Sequence, residues 1–121
     1  AEVGAASAMA ASAACELFGG TPAQCFAAAS NALCGLMGLV CDPVAGLVEA
    51  PCQKRNATGV ANAIVSAQIA LAGIGNLANF DETVEAMRRV GNFLPFELRE
   101  SALGGLAATP SACAFCEGCM N

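Results

Sequence analysis

The 121-residue chain carries ten acidic and five basic residues and no histidine, for a net charge of −5. That length suits one domain with a modest core. So few cations exclude a protein that neutralises nucleic-acid phosphates, and without histidine the chain supplies no imidazole base or metal ligand.

The composition is 56% hydrophobic but only 5% aromatic, with no Trp or Tyr. Bulk comes instead from Ala, Gly and Ser, whose helices can approach backbone to backbone. The expectation is an all-α protein: a compact bundle of Ala/Gly-rich buried helices around a cysteine-bearing loop, with residues 1–121 as a single domain. No repeat or linker interrupts it. Ala1 opens inside an apolar run, without Met or a signal-peptide pattern, and the chain reads as a fragment or a processed form.

Glu2 to Phe18 reads as an alanine-dominated helix stopped by Gly19-Gly20, with Cys15 as a small buried hydrophobe. Thr21-Pro22-Ala23-Gln24 is a helix start, with Thr21 and Gln24 forming a capping box and Pro22 at the first helical position. That helix runs to Leu36 or Leu39. Cys25 and Cys34 lie about two and a half turns apart within it, too far to share a metal, and read as core.

A polar loop from Val40 to Asn56 follows. It holds Cys41 and Cys52, the helix-breaking Pro43 and Pro51, and the charges Asp42, Glu49, Lys54 and Arg55. The next uncharged run reads as a buried helix from Gly59 to Ala72. Asn62, Ser66, Gln68, Asn76 and Asn79 weigh against a membrane span there. Asp81 is expected to cap a surface helix from Glu82 to Gly91, acidic in its first turn and basic at Arg88 and Arg89 in its last. Pro95 opens a short helix through Glu100, and Gly104-Gly105 and Pro110 end regular structure. Residues 107–121 read as a flexible tail. Its Cys113, Cys116 and Cys119 have the spacing of part of an iron–sulfur or zinc ligand run, or belong to a mobile terminus.

From chemistry alone, Cys41 and Cys52 are the best ligand candidates, and two thiolates leave a further ligand to come from elsewhere. Arg55 can grip a carboxylate through paired hydrogen bonds, or it can pair with Glu49 to tie the loop. Asp42, Lys54 and Asn56 are the other polar candidates of the loop.

The run Gly38-Leu39-Val40-Cys41-Asp42-Pro43-Val44-Ala45-Gly46-Leu47-Val48-Glu49-Ala50-Pro51-Cys52, with Lys54-Arg55-Asn56-Ala57 after it, closely resembles the iron–sulfur-dependent L-serine dehydratases of bacteria. The match is to the C-terminal part of their catalytic α chain or α domain. Ala1-Glu2-Val3-Gly4, Ser7-Ala8-Met9-Ala10, Gly19-Gly20-Thr21-Pro22 and Gly104-Gly105-Leu106-Ala107 extend the resemblance over nearly the whole chain. It implies an all-helical fold and a [4Fe–4S] cluster held by three cysteines, with one iron left open as a Lewis acid on the serine hydroxyl. A base removes the α proton, hydroxide leaves, and the aminoacrylate hydrolyses to pyruvate and ammonia.

The resemblance implies Cys41 and Cys52 as two cluster ligands. It puts the third at or just before Ala1, so this segment alone is expected to lack a normal cluster, unless Cys15 or a tail cysteine substitutes, and to be inactive. Ser7, Asp42, Lys54, Arg55 and Asn56 become substrate-binding candidates for L-serine. The base is expected upstream or on a β chain or β domain, within a homo- or hetero-oligomer that binds neither nucleic acid nor membrane. Cys113, Cys116 or Cys119 is a possible tail ligand for the open iron when substrate is absent. Oxygen sensitivity of such clusters points to the cytoplasm. Two other readings stand beside this one: a non-catalytic metal or electron-transfer module using the tail cysteines, and a secreted disulfide-stapled domain.

Overall fold

The computed structural model describes residues 2–119, with side chains through Cys116. Five α-helices make the fold: α1 (Val3–Leu17), α2 (Pro22–Leu36), α3 (Cys52–Leu71), α4 (Phe80–Phe93) and α5 (Pro110–Cys119). Short 3-10 turns at Val44–Gly46, Phe96–Leu98 and Gly105–Ala108 punctuate the connections. The all-α expectation is met, and no helix among the described residues is long and apolar enough to cross a membrane.

Helices α1, α2 and α3 pack on one another, and α4 lies against α2. Their shared core is almost wholly small: Ala8, Ala11, Cys15, Ala28, Ala29, Ala32, Ala63, Ala67 and Ala70, with Leu33 the one large member. Cavity-free packing at that residue size requires close helix axes. At Gly59 an added Cβ would lie 2.9 Å from Val3 Cγ1, so the α1–α3 crossing admits no side chain there. Burial, and then the neighbouring Cys25 thiol, push the Cys15 thiol above its ordinary value, in keeping with a core role.

Buried carbonyls are read across the interfaces by amides. Asn62 Nδ2 donates to Ala32 O and to Ser7 Oγ, each at 3.0 Å. Ser7 Oγ in turn donates to Gly59 O at 2.7 Å. Asn31, Gln24 and Asn76 bond Ser66 O, Ala70 O and Ala27 O. Of the polar residues that weigh against a membrane span, Asn62 and Asn76 are thus fasteners of the bundle.

Several boundaries differ from expectation. The Thr21–Gln24 capping box forms as expected. Helix α4 is capped by Asn79, not Asp81, because Asn79 and Glu82 exchange side-chain and backbone bonds in a second capping box. It also runs on to Phe93, so Arg88 and Arg89 lie in its middle, where both pair with Glu85. Cys34 is exposed rather than core. Residues 110–119 form α5, opened by Pro110, where Gly104-Gly105 and Pro110 were expected to end regular structure.

Candidate functional site

The largest correction falls on the loop. Helix α3 begins at Cys52, directly after Pro51, so Cys52, Lys54, Arg55 and Asn56 stand on its first two turns. The amides of Lys54 and Arg55 bond Pro51 O at 3.1 and 3.2 Å. The loop proper is therefore Met37 to Pro51, and Val44 N bonds Ala50 O at 2.9 Å to fold it back on itself.

One ion pair joins its two ends. Arg55 Nη1 donates to Asp42 Oδ1 and, at 3.2 Å, to Val40 O. These bonds hold the first turn of α3 against the strand of chain that carries Cys41, flanked by Val40 and Asp42. The pairing reading of Arg55 thus has a structural basis, with Asp42 in the place expected for the exposed Glu49.

Asp42 is only 1% exposed, and its second oxygen accepts from Leu106 N at 2.6 Å. Burial raises its pKa, but the Arg55 bond, the Leu106 amide and the Arg55 charge outweigh that and leave the carboxyl below its ordinary range. Asp42 is thereby a tie between α3, the loop and the Gly105–Ala108 turn, with its oxygens already engaged. Ser7 is likewise 3% exposed and saturated by Gly59 and Asn62, so as an expected substrate contact it is displaced into the helix interface. Lys54 and Asn56 are exposed on α3. Asn56 shares a cavity of about 380 Å³ with Ser7, Val3 and Glu2 at the α1–α3 crossing.

Cys41 sits on a different wall. Its N–H donates to Leu98 O and its carbonyl accepts from Glu100 N, both at 2.9 Å, forming an isolated parallel bridge with Arg99. A cavity of about 480 Å³ opens there, lined by Cys41, Glu2, Leu94, Leu98, Arg99 and Glu100. Glu100 adopts φ +59°, a left-handed conformation uncommon outside glycine. Sequence reasoning overlooked Arg99. No local sequence signal marks it: that it is one of two of the five cations with no ion pair among the described residues shows only in the fold.

Cys41 and Cys52 suit thiolate ligation in part. Both are free thiols of intermediate exposure, and the Arg55 clamp brings their segments together. The set is incomplete: among the described residues no three Cys, Asp or Glu side chains converge on a metal-sized site. Cys15 is fully buried and offers no substitute. Helix α5 folds back against the Val44–Gly46 turn, with Phe115 beside Val44, Leu47 and Ala50. Cys113 Sγ points to Ala107 O at 3.9 Å and Cys116 is half-buried, whereas the Cys119 side chain lies outside the described residues.

Comparison with known proteins matches residues 1–107 to the family described as serine dehydratase alpha chain. The chain is 55% identical over 111 residues to the probable L-serine dehydratase, alpha chain, of Bacillus subtilis, covering 92% of this chain and 37% of that protein. It is 56% identical over 114 residues to the probable L-serine dehydratase, alpha chain, of Latilactobacillus sakei, covering 94% and 54%. With the L-serine dehydratase, alpha chain, of Peptoniphilus asaccharolyticus it shares 56% identity over 109 residues, covering 90% and 37%. The chain thus spans between about a third and about half of the length of these relatives, and by this match it belongs to the serine dehydratase alpha chain family.

Proposed function

We propose that this chain is the cysteine-bearing C-terminal part of the α component of an iron–sulfur-dependent L-serine dehydratase, which eliminates water from L-serine to give pyruvate and ammonia. The observation that carries this reading is the Arg55–Asp42–Val40 clamp, which ties the Cys52 turn to the Cys41 segment. Two half-buried cysteines, one on the loop and one at the start of α3, whose segments are joined through the buried Asp42 carboxylate, suit ligation better than core packing does.

Cys41 and Cys52 supply two thiolate ligands to a [4Fe–4S] cluster, and a third comes from outside the described residues. When bound, the cluster supplies a Lewis acid for the departing hydroxyl of the substrate. This chain's own part is to orient and enclose. Arg55 and Asp42 fix the ligand-bearing segments, Gly105 lets the Leu106 amide reach Asp42, and Lys54 and Asn56 offer polar groups on the exposed first turns of α3. The base that takes the α proton lies on a further part of the enzyme or on its β partner. Cys113, Cys116 or Cys119 serves as a stand-in ligand for the open iron in the absence of substrate; the packing of α5 on the Val44–Gly46 turn supports this. Deleting residues 110–121 is expected to alter the activation lag and the cluster absorbance of the assembled enzyme; unchanged values would remove that role.

The main test is anaerobic iron–sulfide loading of this chain and of a version extended upstream, each with and without a β partner, assayed for pyruvate from L-serine. The expected result is cluster uptake and pyruvate only for the extended, partnered form. Cluster uptake by the short chain without pyruvate in any combination would favour the metal or electron-transfer module.

A further inference from the structure

We infer that Arg99, not Arg55, grips the carboxylate of the amino-acid substrate, at the mouth of the cavity that Cys41 lines; this rests on the dehydratase reading above. The chain has five cations. Arg55 is committed to Asp42, and Arg88 and Arg89 are both committed to Glu85. Lys54 and Arg99 make no ion pair among the described residues, and of these two only Arg99 lines the Cys41 cavity.

Position strengthens the assignment. The main-chain bonds on either side of Arg99, Leu98 O to Cys41 N and Glu100 N to Cys41 O, fix its Cα directly opposite that of Cys41. A guanidinium there has its five donors in a planar fork matched to a carboxylate. Two acids, Glu2 and Glu100, line the same cavity, so its walls present one cation and two anions. That is the complement of an α-amino acid zwitterion: the carboxylate goes to Arg99 and the ammonium to the acidic wall. The cavity volume, about 480 Å³, is in the range of small-molecule sites. Glu100 holds its left-handed backbone at this same wall, where local strain serves to aim the chain.

The test uses the complete α component assembled with its β partner and loaded with its cluster under anaerobic conditions. Pyruvate release from L-serine is measured for wild type, Arg99→Ala, Arg99→Lys and, as a control on the exposed face of α4, Arg88→Gln. L-serinamide, which lacks the carboxylate, is titrated as a competitor of each. Arg99→Ala is expected to raise the KM for L-serine about 10- to 100-fold, the equivalent of a lost charge-assisted bond. The Ki of L-serinamide and the cluster absorbance should stay put. Arg99→Lys should fall between, because an ammonium cannot bond both oxygens in parallel. Arg88→Gln should match wild type.

Three outcomes overturn the assignment. An unchanged L-serine KM in Arg99→Ala would remove the grip. An equal rise in L-serine KM and L-serinamide Ki would make Arg99 part of the general frame, as would loss of the cluster absorbance in both Arg99 variants. A wild-type assembly that makes no pyruvate would sink the dehydratase reading itself, and the Arg99 assignment with it.

Discussion

Replacing Asp42 by Asn removes the charge that holds Arg55 and weakens the acceptor for Leu106. Breaking one side of a largely buried ion pair costs about 3 kcal/mol, and urea denaturation should show a loss of that size. The sign of the pH effect follows from the lowered carboxyl. Asp42 contributes fully above its ordinary value of 3.8, and that contribution is lost as the pH falls through the lower folded value. Glu85 is also lowered, to about 2, by Arg88 and then Arg89, but it is exposed and water screens its pairs. Asp42→Asn should therefore flatten the acid limb of a stability–pH curve more than Glu85→Gln does. Two glycines make a second comparison. Gly105 has φ +59°, and a Cβ there would run into the Asp42 carboxylate; Gly46 has φ +73° with nothing within 4 Å. Gly46→Ala should cost about 1 kcal/mol for the backbone alone. Gly105→Ala should cost about 3 kcal/mol, since overpacking adds to the backbone term. Equal losses in thermal melts would show that the Asp42 contact carries nothing.

Among the elements, the α1–α2–α3 junction turns on Ser7 and Asn62. Ser7→Ala and Asn62→Ala each strip hydrogen bonds from a buried interface and should cost about 1–3 kcal/mol. Because the two side chains bond each other, the double variant should lose less than the sum by about 0.5–1.5 kcal/mol in a denaturant cycle. Strict additivity would mean that Asn62 acts through Ala32 O alone. The helices themselves were largely legible in the sequence. Alanine runs, the Gly19-Gly20 stop and the Thr21–Gln24 box each act within a few residues. What escaped was context. The first turns of α3 are polar and read as loop, and Pro51, at the cap position rather than the first helical position, gives no start signal of the Pro22 kind. Asn79 and Asp81 are both cap-type residues shortly before Glu82, and only the three-residue spacing of the capping box singles out Asn79. The Cys41–Arg99 bridge spans residues far apart in the chain, and no local pattern announces it. Cys41 and Cys52 could be singled out as ligand candidates by residue type, whereas the partner of Arg55 depended on which acid the fold buries.

Over the whole molecule, apolar surface is abundant. Met9, Leu17, Phe26 and Phe93 are each more than half exposed. A groove of about 560 Å³ between α1, α2 and α4 is lined by Met9, Phe26, Phe80, Val84 and Met87, with the Phe26 and Phe80 ring centroids 5.7 Å apart. Exposed apolar area on this scale binds hydrophobic dyes. The 121-residue chain should therefore enhance anilinonaphthalene sulfonate fluorescence, and Met9→Glu with Phe26→Ser should lower it at unchanged helical circular dichroism. A signal indifferent to both substitutions would place the dye elsewhere. The net charge of −5 opposes self-association of such a surface without removing its apolar character. The bridge at Cys41 has an effect at this scale too. It is made wholly by main-chain groups, so the frame does not register which side chain occupies position 99. A library at that one codon, without glycine, which has no side chain, and proline, which lacks the N–H donated to Phe96 O, would present different recognition groups at a fixed address beside Cys41. On the reading proposed above, substrate choice would then be retuned like a key cut on an unchanged blank, leaving the helices as they stand.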